Sequence, residues 1–263
     1  MTMSSNEPAH APLRELLPAP GATDVDLASV YAYPVGLDRP WVRANMVASA
    51  DGGAVGPSGR SRDLSSVPDR RIMGVLRGLS DVVLVGAATA RAEGYGPVRS
   101  RRAWAHLREG RPDTPRVAVV SRSLDLPEAL LTEAPQDART LVFTTSHAPP
   151  ERIARVREHA EVVVVEGRSV GPEHVVNGLA ERGLYRVLTE GGPHLLAEYV
   201  AAGLLDELCL TVSPHLLGSG APRIVAGGSG APGAPEHASV QNTPVRLARL
   251  LEADGHLFAR YLR

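Results

Sequence analysis

Four short segments of this chain place polar or acidic residues beside glycine where an apolar run ends. Ala48-Ser49-Ala50-Asp51-Gly52 closes the first long run. An acid followed by glycine at the C-terminal end of a strand sits where open α/β sheets hold ligands, although a plain Asp-Gly turn would look the same. Val85-Gly86-Ala87-Ala88-Thr89-Ala90-Arg91-Ala92-Glu93 ends a β run in small residues and opens a short helix. Backbone N–H groups there can approach a phosphate, with Thr89 adding a hydroxyl; a tight packing turn has the same composition. Thr189-Glu190-Gly191-Gly192-Pro193 is the most specific of the four. Its glycines permit close approach of a pyrophosphate, Pro193 suits a helix start, and Glu190 projects into the same cleft. Ser121-Arg122-Ser123 follows another β run, and serine with arginine suits a ribose 2′-phosphate, which favours NADPH over NADH; an ordinary solvated loop is the alternative. Asp51 and Glu190 are the candidates for proton handling or for hydrogen bonds to a base.

The elements that must position these groups follow from apolar periodicity. Trp41–Ala48 reads as a strand, followed by a Gly/Ser/Arg-rich loop, Ser49–Ser65. Ser66 caps the next helix, whose stripe is Ile72, Val75, Leu76 and Leu79. Asp81–Gly86 is continuously apolar after its first residue, as a strand covered on both faces requires. Further strands are expected at Arg116–Val120, Arg139–Thr144, Glu161–Val165, Tyr185–Thr189 and Leu208–Val212. Helices are expected near Arg99–Arg108, Pro150–His159, Pro172–Arg182 and Pro193–Ala202. This alternation predicts a mostly parallel α/β sheet flanked by helices. Val245–Glu252 and His256–Leu262 flank Asp254-Gly255 and predict a closing antiparallel hairpin. Residues 1–38 read as a partly ordered N-terminal extension with one turn at Leu13–Leu17, and 39–263 as one domain.

Composition narrows the function classes. The 263 residues are 43% hydrophobic and 22% charged with formal net charge −1, which gives no reason to expect nucleic acid or an acidic membrane as partner. All 28 basic residues are arginine, so a lysine Schiff base or lysine general base is excluded. Cys209, the one cysteine, lies in an apolar run and reads as a buried hydrophobe. Nine histidines form no metal-ligand spacing, so no metal is expected. The first residues lack the features of a signal peptide and no run is long enough to span a bilayer, so a cytoplasmic protein is expected. Gly228-Ser229-Gly230-Ala231-Pro232-Gly233 matches a dinucleotide fingerprint literally, but its prolines block the helix such a fingerprint needs, and it reads as a flexible loop.

Taken together, Ser49-Ala50-Asp51-Gly52, Asp69-Arg70-Arg71 with Leu76-Arg77, the run from Asp81 to Glu93, Glu190-Gly191-Gly192-Pro193 and Gly203–Leu208 into Ser213–Gly218 occur in an order that resembles a known family. It is the reductase half of the bifunctional riboflavin deaminase–reductases and their stand-alone relatives. The resemblance covers roughly Arg39 to Arg263. It implies a dihydrofolate-reductase-like fold and a homodimer. It implies NADPH held by Ala48, Gly86, Thr89, Glu93, Ser121, Arg122 and the turn Gly191, Gly192, Pro193, His194 and Leu195. Substrate contacts would come from Ser61, Arg77 and Glu190, with Arg77 presenting its fork to a 5′-phosphate. The implied reaction reduces a ribosylaminopyrimidinone 5′-phosphate, through its ring-opened imine, to the ribitylamino product.

The chain departs from the family's pattern around the substrate end. Asn45 stands where many relatives carry lysine; it can hydrogen-bond a substrate but brings no charge. Gly53 follows Asp51-Gly52 in place of a basic residue, Asp63 replaces an aromatic, and Gly94-Tyr95-Gly96-Pro97 replaces Asp-Pro. These changes motivate two alternatives: a reductase of another pterin or pyrimidine such as dihydrofolate, and a catalytically silent NADPH-binding paralogue. For assembly, Leu208–Val212 and the C-terminal hairpin are expected to form an edge that pairs across a two-fold axis.

Overall fold

The computed structural model describes residues 12–18, 25–226 and 242–263. Ten strands form one sheet: β1 (Arg14–Leu17), β2 (Trp41–Ser49), β3 (Val82–Gly86), β4 (Arg116–Val120), β5 (Leu141–Thr145), β6 (Glu161–Val165), β7 (Arg186–Thr189), β8 (Glu207–Ser213), β9 (Arg246–Ala253) and β10 (His256–Leu262). Their spatial order is β1-β9-β10-β8-β2-β7-β3-β4-β5-β6. From β8 to β6 every pairing is parallel, while β10, β9 and β1 join antiparallel. The expected α/β sheet with its closing hairpin is therefore present.

Among the described residues seven α-helices flank it: α1 (Leu27–Val30), α2 (Val67–Leu79), α3 (Ala87–Glu93), α4 (Glu128–Thr132), α5 (Pro150–His159), α6 (Pro172–Ala180) and α7 (Pro193–Ala201). Alternate residues of the parallel strands feed two cores. Val83, Val85, Val117 and Val119 pack with Ile72 and Leu76 of α2 and Leu130 of α4. Val82, Leu84 and Ala118 pack on the opposite face with Val175 and Leu179 of α6 and Leu196 and Tyr199 of α7. That double cover is why the strands read as continuous apolar runs. Ser66 caps α2, its side chain accepting from the Asp69 N–H.

Four expectations change. Leu13–Leu17 is not a turn: Arg14–Leu17 is β1, paired with β9, and Leu13 is buried against the core that also holds Leu27, Val30 and Tyr31. Arg99–Arg108 yields only a 3₁₀ turn, Arg102–Leu107, because Trp104 is its one buried residue and no apolar stripe supports a longer helix. The short helix α4 was not anticipated. Finally, β8 lies between β2 and β10, and β9 is covered by β1, so neither β8 nor the hairpin is a free edge. The Gly228–Gly233 match lies outside the described residues.

Candidate active site

The parallel strands β2, β7 and β3 all end at one rim, and the four segments singled out by their chemistry end there with them. Beside that rim lies a cleft of about 230 Å³ lined by Asn45 and Met46 of β2, Ser61, Arg62 and Ser65 of the following loop, Arg70 and Arg77 of α2, Glu93, Tyr95 and Glu190. All four expected substrate residues, Asn45, Ser61, Arg77 and Glu190, thus meet in one place. A polar basin lined by Arg99, Arg101 and Trp104 adjoins it and shares the wall formed by Arg77, Glu93 and Tyr95.

The charge arrangement inside is specific. The Arg77 guanidinium donates from Nε to Glu190 Oε1 at 2.7 Å and from Nη2 to Oε2 at 2.6 Å. Tyr95 donates its hydroxyl to the same Oε2 at 2.6 Å. Burial alone would raise the Glu190 pKa, but the facing guanidinium and the two donors outweigh it and hold the carboxyl below its ordinary range. Glu190 is therefore ionised at neutral pH. The Arg77 fork, expected to clasp a phosphate, is instead engaged edge-on by Glu190; Nη1 is the nitrogen outside that pairing. Tyr95 is not among the expected site residues; the sequence marks it only as an aromatic between two glycines directly after α3, with no sign of its partner.

Glu93 serves the site by holding its loop. Its Oε1 accepts from the Ser61 N–H at 2.8 Å and ties α3 to the segment that carries Ser61. Asp51 does not line the cleft. Its carboxylate accepts from Ser49 Oγ and from the Leu217 and Gly218 N–H groups, so it joins the end of β2 to the loop after β8. Those donors, the Ser49 hydroxyl first, lower its pKa.

The glycines form a second feature of the rim. Gly86 donates its N–H to the Gly191 carbonyl at 2.9 Å, so the ends of β3 and β7 lie side by side. A Cβ on Gly192 would overlap Thr89 Oγ1, and one on Gly191 would meet Met46 Sδ at 3.2 Å, which joins this rim to the cleft. Gly192 and Gly86 are the N-cap residues of α7 and α3, and no side chain caps either helix. Two helices thus start side by side without a side-chain cap, the kind of helix start at which a pyrophosphate can be held. Of the remaining candidates, Arg122 and His194 are exposed, Pro193 opens α7, and Ala48 and Leu195 are buried. Ser121 is also buried, its Oγ accepting from the Leu124 N–H. Among the described residues no cluster of three or more His, Cys, Asp or Glu could hold a metal.

A family model described as the RibD C-terminal domain matches residues 40–248. The chain is 33% identical over 188 residues to the 2,5-diamino-6-ribosylamino-4(3H)-pyrimidinone 5′-phosphate reductase of Archaeoglobus fulgidus, covering 68% of this chain and 83% of that protein. It is 30% identical over 192 residues to the protein of the same name from Methanothermobacter thermautotrophicus, covering 73% and 86%. A crystal structure of a pyrimidine reductase-like protein from Corynebacterium diphtheriae superposes with a TM-score of 0.78 at 26% identity, covering 90% of this chain and 98% of that one.

Proposed function

The chain belongs to the RibD C-terminal domain family, and on that premise we propose that it reduces a ribosylaminopyrimidinone 5′-phosphate to the ribitylamino product, with NADPH as reductant. The observation that carries this reading is the Arg77–Glu190–Tyr95 array in a cleft that meets a glycine-lined rim at Met46. What supports the cofactor at this rim is that Gly86 and Gly192 open two adjacent helices with no side-chain cap. Those glycines, Thr89 and the first turn of α7 would hold its pyrophosphate, and exposed Arg122 would face a 2′-phosphate. When bound there, NADPH would supply the hydride, and Met46, which lines the cleft beside Gly191, would lie between cofactor and substrate.

The chain's own residues bind and orient. Glu190, ionised and fixed by three hydrogen bonds, keeps one lone pair, on Oε1, for an N–H group of a pyrimidine and is a poor proton donor. Its role is to set the base, and through it the sugar carbon, at a fixed position. Ser61 and Arg77 Nη1 would meet the 5′-phosphate, with Arg62 and Arg70 adding positive field. Asn45 supplies an amide where many relatives carry a charge. Asp51 acts through the loop it holds rather than on the substrate. This reading takes 39–263 as the reductase domain and 1–38 as its extension, in a cytoplasmic homodimer. Among the described residues no helix is long and apolar enough to cross a membrane. A monomer mass by light scattering would remove the dimer.

The test is loss of NADPH absorbance with the purified chain and three substrates in parallel: the diamino pyrimidinone phosphate, its deaminated counterpart, and dihydrofolate. Turnover on either of the first two, abolished in Glu190→Ala and retained with NADH only weakly, is the expected result. Turnover on dihydrofolate alone would overturn the substrate, and tight NADPH binding without any turnover would overturn the activity.

A further inference from the structure

At the opposite ends of the same strands, a basin of about 520 Å³ is lined by Arg108, Arg111, Arg116, Arg182 and Arg186 against only two acids, Asp81 and Asp137. Its position follows from topology. Arg116 begins β4, Arg186 begins β7, Asp81 precedes β3, and Arg182 follows α6. None of these residues enters the reaction cleft.

The acids are shared rather than matched. Asp81 Oδ1 accepts from Arg111 Nη1 at 3.0 Å and lies 3.7 Å from Arg186 Nη1. Glu161, outside the basin, pairs with both Arg116 at 2.7 Å and Arg182 at 2.6 Å. Arg182 is also 3.7 Å from the solvated Glu181. Among the described residues Arg108 is in no ion pair, although the charges of Asp81 and Asp113 reach it. It is 4% exposed and donates to the carbonyls of Pro112, Gly78 and Ser80. Burial first, and then the neighbouring Arg111, push its pKa down to about 10. Like charges are thus packed together with too few counter-charges, a state that a bound anion would relieve.

Two of the five arginines have a clear structural duty. Arg108 and Arg111 satisfy carbonyls at the C-terminal end of α2. The rim arginines are different. Arg186 donates its backbone N–H to Asp81 Oδ2 at 2.9 Å, but its side chain, 41% exposed, comes no nearer than 3.7 Å to that carboxylate. Arg116 engages Nε and Nη2, and Arg182 engages Nε and Nη1, within the chain. That leaves one terminal nitrogen on each. A single guanidinium nitrogen from each of two arginines, together with the Arg186 fork, all lining one basin, can still donate to phosphate oxygens.

We propose that this basin is a second anion site, which takes the phosphate or diphosphate group of a small molecule at the strand N-terminal edge, apart from the reaction cleft.

Inorganic pyrophosphate is the probe, titrated calorimetrically into the full chain at fixed ionic strength with saturating NADPH present. Arg186→Ala removes a half-exposed fork and should weaken pyrophosphate at least about tenfold, the loss of one charge-assisted contact. Asp137→Asn removes an exposed acid from the same basin and should tighten it. Opposite signs from two surface changes cannot come from misfolding, and matching thermal melts would confirm that both variants are folded. Binding that NADPH abolishes, or affinities unchanged in both variants, would overturn the proposal. Those outcomes leave the reductase reading standing, since it is read by turnover.

Discussion

At the level of single residues, the pair that governs the site is Arg77 and Glu190. The Glu190 side chain is 5% exposed and that of Arg77 22%, so each depends on the other for compensation. Arg77→Met would strand a buried carboxylate and should cost about 2–3 kcal/mol at neutral pH, somewhat less than a fully buried pair because Arg77 is partly exposed. The sign of the pH dependence checks the assignment. In the parent chain the Glu190 pKa lies below its unfolded value, so its contribution is present above about pH 4.5 and is lost as pH falls through the folded pKa. In Arg77→Met, burial remains and the guanidinium is gone, so the folded pKa rises above the unfolded one. The variant should therefore gain stability on acidification toward pH 5, where the parent does not. Urea unfolding at several pH values reads this directly, and parallel slopes for the two proteins would refute the pairing. Glu190 was legible from its place before two glycines. Tyr95 was not, because nothing in the spacing of a loop tyrosine says which carboxylate it reaches.

Among the elements, the junction of β3–α3 with β7–α7 decides whether the rim can hold a phosphate. Gly192 has φ −72°, which any residue tolerates, so its identity is set by space rather than backbone freedom. Gly192→Ala should drive its methyl into Thr89 Oγ1 and part the two helix starts, weakening NADPH at least about tenfold. Adding Thr89→Ala leaves that methyl at ordinary contact with the Thr89 Cβ position, 3.7 Å away, so Gly192→Ala should cost much less in the Thr89→Ala background than in the parent. Fluorescence titration of NADPH against both single variants and the double variant forms the cycle. An equal cost in both backgrounds would mean that the glycine serves something other than this contact.

For the molecule as a whole, the antiparallel end of the sheet is what the N-terminal residues protect. β9 has eight residues and β1 covers part of it, with the Arg14–Glu252 and Arg249–Glu15 pairs across the join. Further in, Arg43 and Arg260 converge on Glu207, all three buried or nearly so, which pins β2, β8 and β10 together. Deleting residues 1–18 should leave β9 as an open edge and uncover the Leu13 site in the core. The expected outcome is a lower melting temperature and concentration-dependent association by light scattering. A shortened chain with an unchanged melt would show that β1 is dispensable.

The alternation of strands and helices, the closing hairpin and the glycine-rich strand ends are all legible in the order of residues. Those features are local: an apolar run covered on both faces, a capping Ser66 and an Asp-Gly pair each carry their structure within a few residues. That Arg77 faces Glu190, 113 residues away, rather than a phosphate emerges from the packing of α2 against the end of β7. Tertiary structure alone turned Asp51 to the Leu217–Gly218 loop and placed β8 inside the sheet instead of at its edge. The physical reason is common to all three. Charge pairing and strand order depend on which distant groups packing brings within a few ångströms, and no spacing along the chain records that distance.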